Sequence, residues 1–206
     1  MRLLIRLALA LWLINTGTLH VEARTDTSGP LKGVCLVAPR TAPDSNPLEP
    51  VKELGANYVA VIPYAFCRPD QPEVKYHYSH QWWGETVKGV KQTIAYAREY
   101  ELKVMLKPHL WVGGEGWPGK LSFESDKQWQ QWRSSYQAYI LRFARLAEKA
   151  GVELFTVGTE CKALAREHPG YWRSLIEKVR KVYSGKVTYQ ANWDNVQHVA
   201  FWDQLD

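Results

Sequence analysis

Apolar segments with the composition of β-strands alternate along this chain with segments that have the periodicity of amphipathic helices. The predicted strands cover residues 33–38, 57–64, 103–111, 154–160 and 186–193. The predicted helices cover residues 48–54, 86–100, 126–150 and 169–184. Such an alternation predicts a parallel sheet whose strands are joined by right-handed crossover helices. The fold class is therefore α/β.

The loops that follow the predicted strands are long, whereas the turns after the helices are short. The longest loop covers residues 66–84, while the turns carry Gly55, Gly151 and Gly185. In a (β/α)8 barrel the loops after strands build the active face. We therefore predict a TIM-barrel-type fold, truncated after about five βα units because a typical barrel needs about 250 residues. An open doubly wound sheet is the alternative, but the first strand lacks a Gly-rich phosphate loop.

The N-terminal residues have the pattern of a secretory signal peptide. Arg2 and Arg6 precede an apolar stretch at residues 7–14, and residues 21–23 offer a cleavage site. We predict a signal peptide at residues 1–23, a linker at 24–32 and one partial TIM-barrel domain at 33–206. The protein is then secreted or periplasmic, without stable membrane association after cleavage. An uncleaved N-terminal anchor is the alternative.

Composition and motifs argue against several classes of function. The formal net charge is +5, but the basic residues between 173 and 186 have the spacing of a solvated helix face, so we expect no nucleic-acid partner. Metal ligands are conceivable at His77, His80, His109 and Glu160, yet no HExxH motif occurs. No G-x-S-x-G elbow indicates a serine hydrolase. We expect neither a metal nor another cofactor.

Polar and aromatic residues lie at or after the ends of the predicted strands. Glu160 follows the apolar run at 154–159 and is the candidate catalytic acid. Indole rings pack on sugar C–H faces, and hydroxyl groups need amides, imidazoles and charges, so the mixture predicts a sugar-binding cleft. The candidate substrate-binding residues are Tyr64, Arg68, Trp83, Lys107, His109, Trp111, Asn192 and Trp193.

Six of these residues also have a structural interpretation. Glu160 can cap the following helix, and His109 can be a hydrogen-bonded structural histidine. Trp111 and Trp193 can belong to the core, and Arg68 can be a surface residue. Lys107 can be the partner that keeps Glu160 ionised. Their coincidence at the ends of separate strands favours the functional interpretation.

Four segments resemble glycoside hydrolase family 113. Residues 103–111 (KVMLKPHLW), 155–160 (FTVGTE) and 189–194 (YQANWD) resemble its third, fourth and fifth barrel strands, and residues 201–203 (FWD) resemble the approach to its sixth. The family comprises secreted β-mannanases and relatives with a TIM barrel. The resemblance implies retaining hydrolysis of β-1,4-mannosidic bonds in a polysaccharide or oligosaccharide. It also implies that Glu160 is the acid/base and that residues 33–206 are glycosidase-like.

The chain departs from the family pattern at two points. Thr159 stands where many related barrels carry an Asn that binds the substrate 2-hydroxyl. The family nucleophile is a Glu at the end of a seventh strand, and we expect it to be missing from this chain. Asp194 and Asp206 are the nearest spare carboxylates.

Two hypotheses follow. The chain is a β-mannanase-like glycoside hydrolase that a C-terminal fragment completes, or it is a non-catalytic carbohydrate-binding remnant of such an enzyme. The sequence leaves open mannan against other β-glycans, and endo against exo action. Because an open five-stranded sheet exposes two edges, we also expect the isolated chain to be poorly soluble or to need a partner.

Overall fold

The computed structural model describes residues 29–114 and 116–206, and its strands and helices lie in one unit, residues 31–206. The predicted signal peptide at 1–23 and residues 24–28 of the predicted linker lie outside the described residues. In chain order the strands and helices are β1 (Gly33–Leu36), α1 (Glu49–Glu53), β2 (Tyr58–Val61), β3 (Tyr64–Arg68), β4 (Gln71–Lys75), α2 (Val87–Glu99), β5 (Lys103–Leu106), β6 (His109–Val112), α3 (Asp126–Lys149), β7 (Leu154–Thr159), α4 (Lys162–Glu167), α5 (Pro169–Arg180) and β8 (Lys186–Gln190).

A five-stranded parallel sheet forms the centre of the fold, with the strand order β1-β2-β5-β7-β8. Each predicted strand contributes one member of this sheet, which confirms the predicted α/β architecture. The strand β7 is buried along its whole length, as expected for a strand that is covered on both faces. All five carboxyl ends point toward one edge of the sheet, and that edge carries the predicted site.

Two of the predicted strands are interrupted by proline. Pro63 follows β2 and Pro108 follows β5, and proline has no N–H to donate to a ladder. The chain resumes as β3 and β6, which pair in parallel with Tyr64 opposite His109. With β4 they form a second sheet in the order β4-β3-β6. The segment predicted as a loop at 66–84 therefore contains the end of β3, all of β4 and the first part of a 3-10 turn at Trp83–Glu85.

The long helix α3 supplies much of the core through one face. Trp132, Tyr136, Tyr139 and Phe143 are buried, which agrees with the predicted core periodicity. Ser125 caps its N-terminus by accepting a hydrogen bond from the backbone N–H of Gln128. The short helix α4 was not predicted, because six residues are too few to show a helical period.

The sheet has β1 and β8 as its edges within the described residues. The backbone N–H of Asp206 donates to the carbonyl oxygen of Val187 on β8, and the Asp206 carboxylate accepts the N–H of the same valine. Part of this edge is thereby hydrogen-bonded. Among residues 29–114 and 116–206, no helix has both the length and the apolarity that crossing a membrane requires.

Candidate functional site

Glu160 directly follows β7 and has a left-handed backbone conformation, with φ of +58°. A residue other than glycine costs about 1–2 kcal/mol in this region, so the surrounding structure must hold it there. The Glu160 N–H donates to the Gln190 carbonyl on β8 over 2.8 Å, and the Glu160 carbonyl accepts the N–H of Lys162 over 2.8 Å. Glu160 therefore leaves the sheet in a fixed direction.

The Glu160 carboxylate has one hydrogen-bond donor among the described residues. The indole Nε1 of Trp117 lies 3.0 Å from Oε2 and donates to it. Trp117 immediately precedes a 3-10 turn at Pro118–Lys120. We did not predict Trp117 as a site residue, because 43 residues separate it from Glu160 and its Gly-rich loop has no sequence period that predicts a contact.

Lys107 and His109 lie on either side of Pro108. The Lys107 ammonium is 3.8 Å from Cys35 Sγ. The ion pairs among the described residues do not include the suggested Lys107–Glu160 pair. Burial lowers the pKa of His109 to about 4, with the Lys107 charge acting in the same direction and Glu160 opposing the shift. The imidazole is therefore neutral at neutral pH. Its Nδ1 is buried without a hydrogen-bond partner among the described residues.

An aromatic cluster forms where β3 and β6 pair. Tyr64 lies opposite His109 in the register, and their ring centroids are 5.1 Å apart. Trp111 meets the edge of Tyr64 at 6.3 Å, and its side chain is 57% exposed. Burial raises the pKa of the Tyr64 hydroxyl, and the charges of Glu85, Cys35 and Glu160 act in the same direction. The structure thus brings together Tyr64, His109 and Trp111, and the Glu160 charge acts on Tyr64 and His109.

The remaining predicted residues are placed differently. Trp193 is 91% exposed beyond the end of β8, and Asn192 has a buried Oδ1 without a partner among the described residues. Arg68 pairs with Asp70 at 3.1 Å. Trp83 is half-buried in the 3-10 turn before α2, where its carbonyl accepts from Thr86. The described contacts of Arg68 and Trp83 lie outside the aromatic cluster.

A second acidic residue, Glu85, was not predicted as part of the site. It lies in the 3-10 turn Trp83–Glu85, is 6% exposed, and its Oε2 has no hydrogen-bond partner among the described residues. Burial raises its pKa to about 7. Burial first and the Glu85 charge second raise the pKa values of Tyr64 and Tyr78. In sequence, Glu85 resembles an ordinary acidic residue at the start of a helix, which carries no sign of burial.

A cavity of about 520 Å³ lies beside Trp117. Trp117 and Lys120 line one part of it, and Lys162 and Arg166 on α4 line another. Lys162 pairs with Asp194 at 2.5 Å. A larger groove of about 630 Å³ is lined by residues of α3, α5 and the segment before α5, and shares no residue with the aromatic cluster. We assign the site to the sheet edge because the strand ends converge there.

The part of the chain that the structure describes shows no arrangement suited to a metal. No group of three or more His, Cys, Asp and Glu side chains in residues 29–114 and 116–206 is arranged to hold a metal ion. The three cysteines are free thiols, with Cys35 exposed and Cys67 and Cys161 buried. The groups gathered around Glu160 are instead hydrogen-bonding and aromatic side chains.

Comparison with known proteins points to one family. The model of Glycoside Hydrolase Family 113 matches residues 40–206. A solved complex of a GH113 β-1,4-mannanase is 30% identical, with a TM-score of 0.72 over 85% of this chain and 60% of that chain. The GH113 β-mannanase AaManA from Alicyclobacillus acidocaldarius, in complex with ManMIm, is 27% identical, with a TM-score of 0.76 over 85% and 58%.

More distant structures share the fold. An endoglucanase Cel5A from Pseudomonas stutzeri is 12% identical, with a TM-score of 0.50 over 87% of this chain and 57% of that chain. A search of curated proteins gave no match. This chain spans about three fifths of the length of the solved mannanases, at 60% and 58%. The part matched by the family model holds four strands of the sheet, β2, β5, β7 and β8, together with Glu160. With the structural matches it confirms a fold of the TIM-barrel type, of which this chain contains a part.

Proposed function

The chain belongs to Glycoside Hydrolase Family 113, and on that premise we propose that the protein hydrolyses β-1,4-linked mannan by a retaining mechanism with Glu160 as acid/base. The observation that carries this proposal is the placement of Glu160 at the carboxyl end of β7, in a left-handed conformation that neighbouring groups hold in place. The solved relatives described as β-mannanases, at 30% and 27% identity, support mannan as the substrate.

The proposed reaction has two proton transfers at Glu160. In the first step its carboxylic acid protonates the glycosidic oxygen while a carboxylate nucleophile bonds to the anomeric carbon and the glycosidic bond breaks. In the second step the Glu160 carboxylate takes a proton from water. The water oxygen then bonds to the anomeric carbon and the nucleophile carboxylate leaves.

The nucleophile must lie about 5–5.5 Å from the acid/base carboxyl. Asp194 is engaged with Lys162, and Asp206 binds Arg180 and the Val187 N–H. The family resemblance places the nucleophile on a seventh strand, whereas the described sheet has five strands. We therefore propose that a further part of the barrel, on the same polypeptide or a C-terminal fragment, supplies it.

Substrate binding is assigned to the exposed aromatic rings at the sheet edge. Trp111 and Trp193 present exposed indoles on which a pyranose can stack. Neutral His109, whose ring lies 5.1 Å from that of Tyr64, supports this aromatic surface from below. Thr159, in the position before the acid/base, is buried together with its Oγ1, so we assign no substrate contact to it.

The N-terminal pattern supports export of the protein. Arg2, Arg6 and the apolar stretch at 7–14 have the composition of a signal peptide. We propose a secreted or periplasmic location with cleavage after residue 23. N-terminal sequencing of the protein recovered from its native host tests this, and an intact residue 1 on the mature protein would contradict it.

The experiment for function uses the protein expressed from its whole open reading frame. It is incubated separately with β-1,4-mannan and β-1,4-glucan, and the released sugars are separated by chromatography. We expect mannooligosaccharides from mannan and much slower release from glucan. Retention of mannan on the protein without cleavage would instead favour the carbohydrate-binding remnant, since the exposed indoles serve binding without a nucleophile.

A further inference from the structure

The hydrogen bond between Trp117 and Glu160 has a consequence for the proton-transfer step. We propose that Trp117, seated on Gly119, is a positioning residue that holds Glu160 Oε2 and thereby dedicates Oε1 to proton exchange with the substrate. This role rests on the proposed glycosidase function. Nε1 of Trp117 donates to Oε2 at 3.0 Å, and no other described residue hydrogen-bonds the carboxyl group.

The indole ring of Trp117 occupies the space that a side chain at position 119 would fill. A Cβ atom at Gly119 would lie 2.3–2.6 Å from three ring carbons of Trp117, a separation well inside van der Waals contact. Gly119 is itself buried in the 3-10 turn Pro118–Lys120. The six-membered ring of the indole therefore rests directly on the glycine backbone. An alanine at Gly119 must displace the ring and, with it, the donor to Glu160.

The backbone of Glu160 is fixed independently of Trp117. Its N–H is bound by the Gln190 carbonyl and its carbonyl by the Lys162 N–H, each at 2.8 Å. These two bonds hold Cα and the left-handed φ, but they leave the side-chain torsions free. Trp117 supplies the remaining constraint. A strained backbone and a dedicated side-chain donor at one carboxylate are together characteristic of a positioned reactive group.

The two carboxyl oxygens have separate tasks. Oε2 keeps the indole hydrogen bond throughout the reaction. Oε1 carries the proton, gives it to the glycosidic oxygen as the sugar–oxygen bond breaks, and then accepts one proton from the attacking water. A carboxyl group that rotates freely presents Oε1 to the glycosidic oxygen only part of the time. Displacement of a reacting group by about 1 Å can cost on the order of 10²-fold in rate.

The test compares leaving groups, because a good leaving group departs without protonation. Trp117→Phe and Gly119→Ala are assayed in the protein from its whole open reading frame, on a mannooligosaccharide and on a dinitrophenyl β-mannoside. We expect kcat/KM on the oligosaccharide to fall by about 10- to 100-fold and the glycosylation step on the dinitrophenyl substrate to change by less than about threefold. Equal losses on both substrates, or no loss, would overturn the proposal.

Matched controls separate positioning from a general effect on folding. Trp202→Phe removes an indole N–H that donates to the Val196 carbonyl at 2.8 Å, elsewhere in the fold. Gly170→Ala adds a Cβ where no heavy atom lies within 4 Å. Neither control should change the ratio of the two kcat/KM values. A shift of that ratio in the controls comparable to the shift in Trp117→Phe would also contradict the proposal.

A spectroscopic measurement tests the hydrogen bond without requiring turnover. In a ¹⁵N–¹H spectrum the Trp117 indole signal is identified by its loss in Trp117→Phe. We expect Glu160→Gln and Gly119→Ala to move that signal, and Gly170→Ala to leave it in place. An indole signal indifferent to Glu160→Gln would refute the positioning role even if mannan is hydrolysed. If the variants shift the indole signal as expected but the wild-type protein cleaves no mannan, the hydrogen bond is supported and the proposed function is refuted.

Discussion

Two acidic residues in this molecule, Glu160 and Glu85, occupy opposite kinds of environment. Glu160 directly follows β7, and Trp117 and two backbone hydrogen bonds determine where its carboxylate lies. Glu85 lies in a 3-10 turn, is 6% exposed, and has an Oε2 without a partner in the described structure. Both act electrostatically on Tyr64. Hydrogen bonds therefore fix the position of the Glu160 carboxylate, whereas burial determines the protonation of the Glu85 carboxyl group.

This difference assigns the two residues different roles, Glu160 in catalysis and Glu85 in the stability of the fold. A carboxyl group that is held in direction can exchange a proton with a bound substrate. A carboxyl group that is buried without partners changes its protonation near neutral pH, and ionising it costs folding free energy. We therefore expect changes at Glu160 to alter turnover with little effect on folding. Changes at Glu85 should alter the pH dependence of stability.

The largest expected effect is that of Glu160→Gln. The amide keeps the size of the side chain and can still accept the Trp117 N–H, but it cannot donate the proton that the leaving oxygen needs. We expect kcat/KM on unactivated mannooligosaccharides to fall by about 10²–10⁴-fold, while the urea midpoint stays close to that of wild type. Steady-state kinetics and urea unfolding measure the two quantities. A large loss of stability with unchanged turnover would contradict the assignment of Glu160 to catalysis.

The next effect concerns Glu85, whose pKa is raised to about 7 from 4.5 by burial. As pH rises, the Glu85 carboxyl group ionises at a lower pH in the unfolded state than in the folded state. The stabilisation that the protonated acid contributes is therefore complete below the unfolded pKa. It is lost as pH rises through about 7. We expect Glu85→Gln to raise the free energy of unfolding at pH 8.5 by about 1–3 kcal/mol, with little change at pH 4.5. Urea titrations at both pH values test this, and a variant equally stable or weaker at pH 8.5 would contradict it.

The last prediction concerns His109, whose pKa is lowered to about 4 by burial first and the Lys107 charge second. The unfolded histidine binds a proton near the ordinary pKa of 6.5. The neutral form therefore contributes full stability above that pH, and the contribution is lost as pH falls toward 4. An NMR titration of the imidazole Hε1 should show a neutral ring at pH 5.5. A midpoint between 6 and 7 would show that the ring is not desolvated as described.

The barrel framework was predictable because its signals are local. The runs at residues 57–64 and 154–160 have strand composition, and glycines end the intervening helices. These signals located β2, β7 and the position of Glu160. The prolines at 63 and 108 were visible as well, but only the pairing of β3 with β6 shows that both interruptions lead into a second sheet.

The side-chain arrangement of the site was not predictable in the same way. Trp117 meets Glu160 across 43 residues, through a glycine-rich loop whose path depends on tertiary contacts. Glu85 carries no sequence sign of burial, because an acid before a helix is most often solvated. Lys107 was a reasonable ionic partner for Glu160, yet its position places the ammonium beside Cys35 instead. The predicted strand ends therefore located the candidate site, whereas the packing of the loops determines which side chains contact Glu160.

The most direct test of the central claim uses Glu160→Ala with a dinitrophenyl β-mannoside and added azide. Without a base for water, the covalent intermediate accumulates, and azide can attack it without proton transfer. If Glu160 is the acid/base, the product is a β-mannosyl azide and turnover rises with azide concentration. An α-mannosyl azide would identify Glu160 as the nucleophile, and turnover indifferent to azide would remove Glu160 from the mechanism.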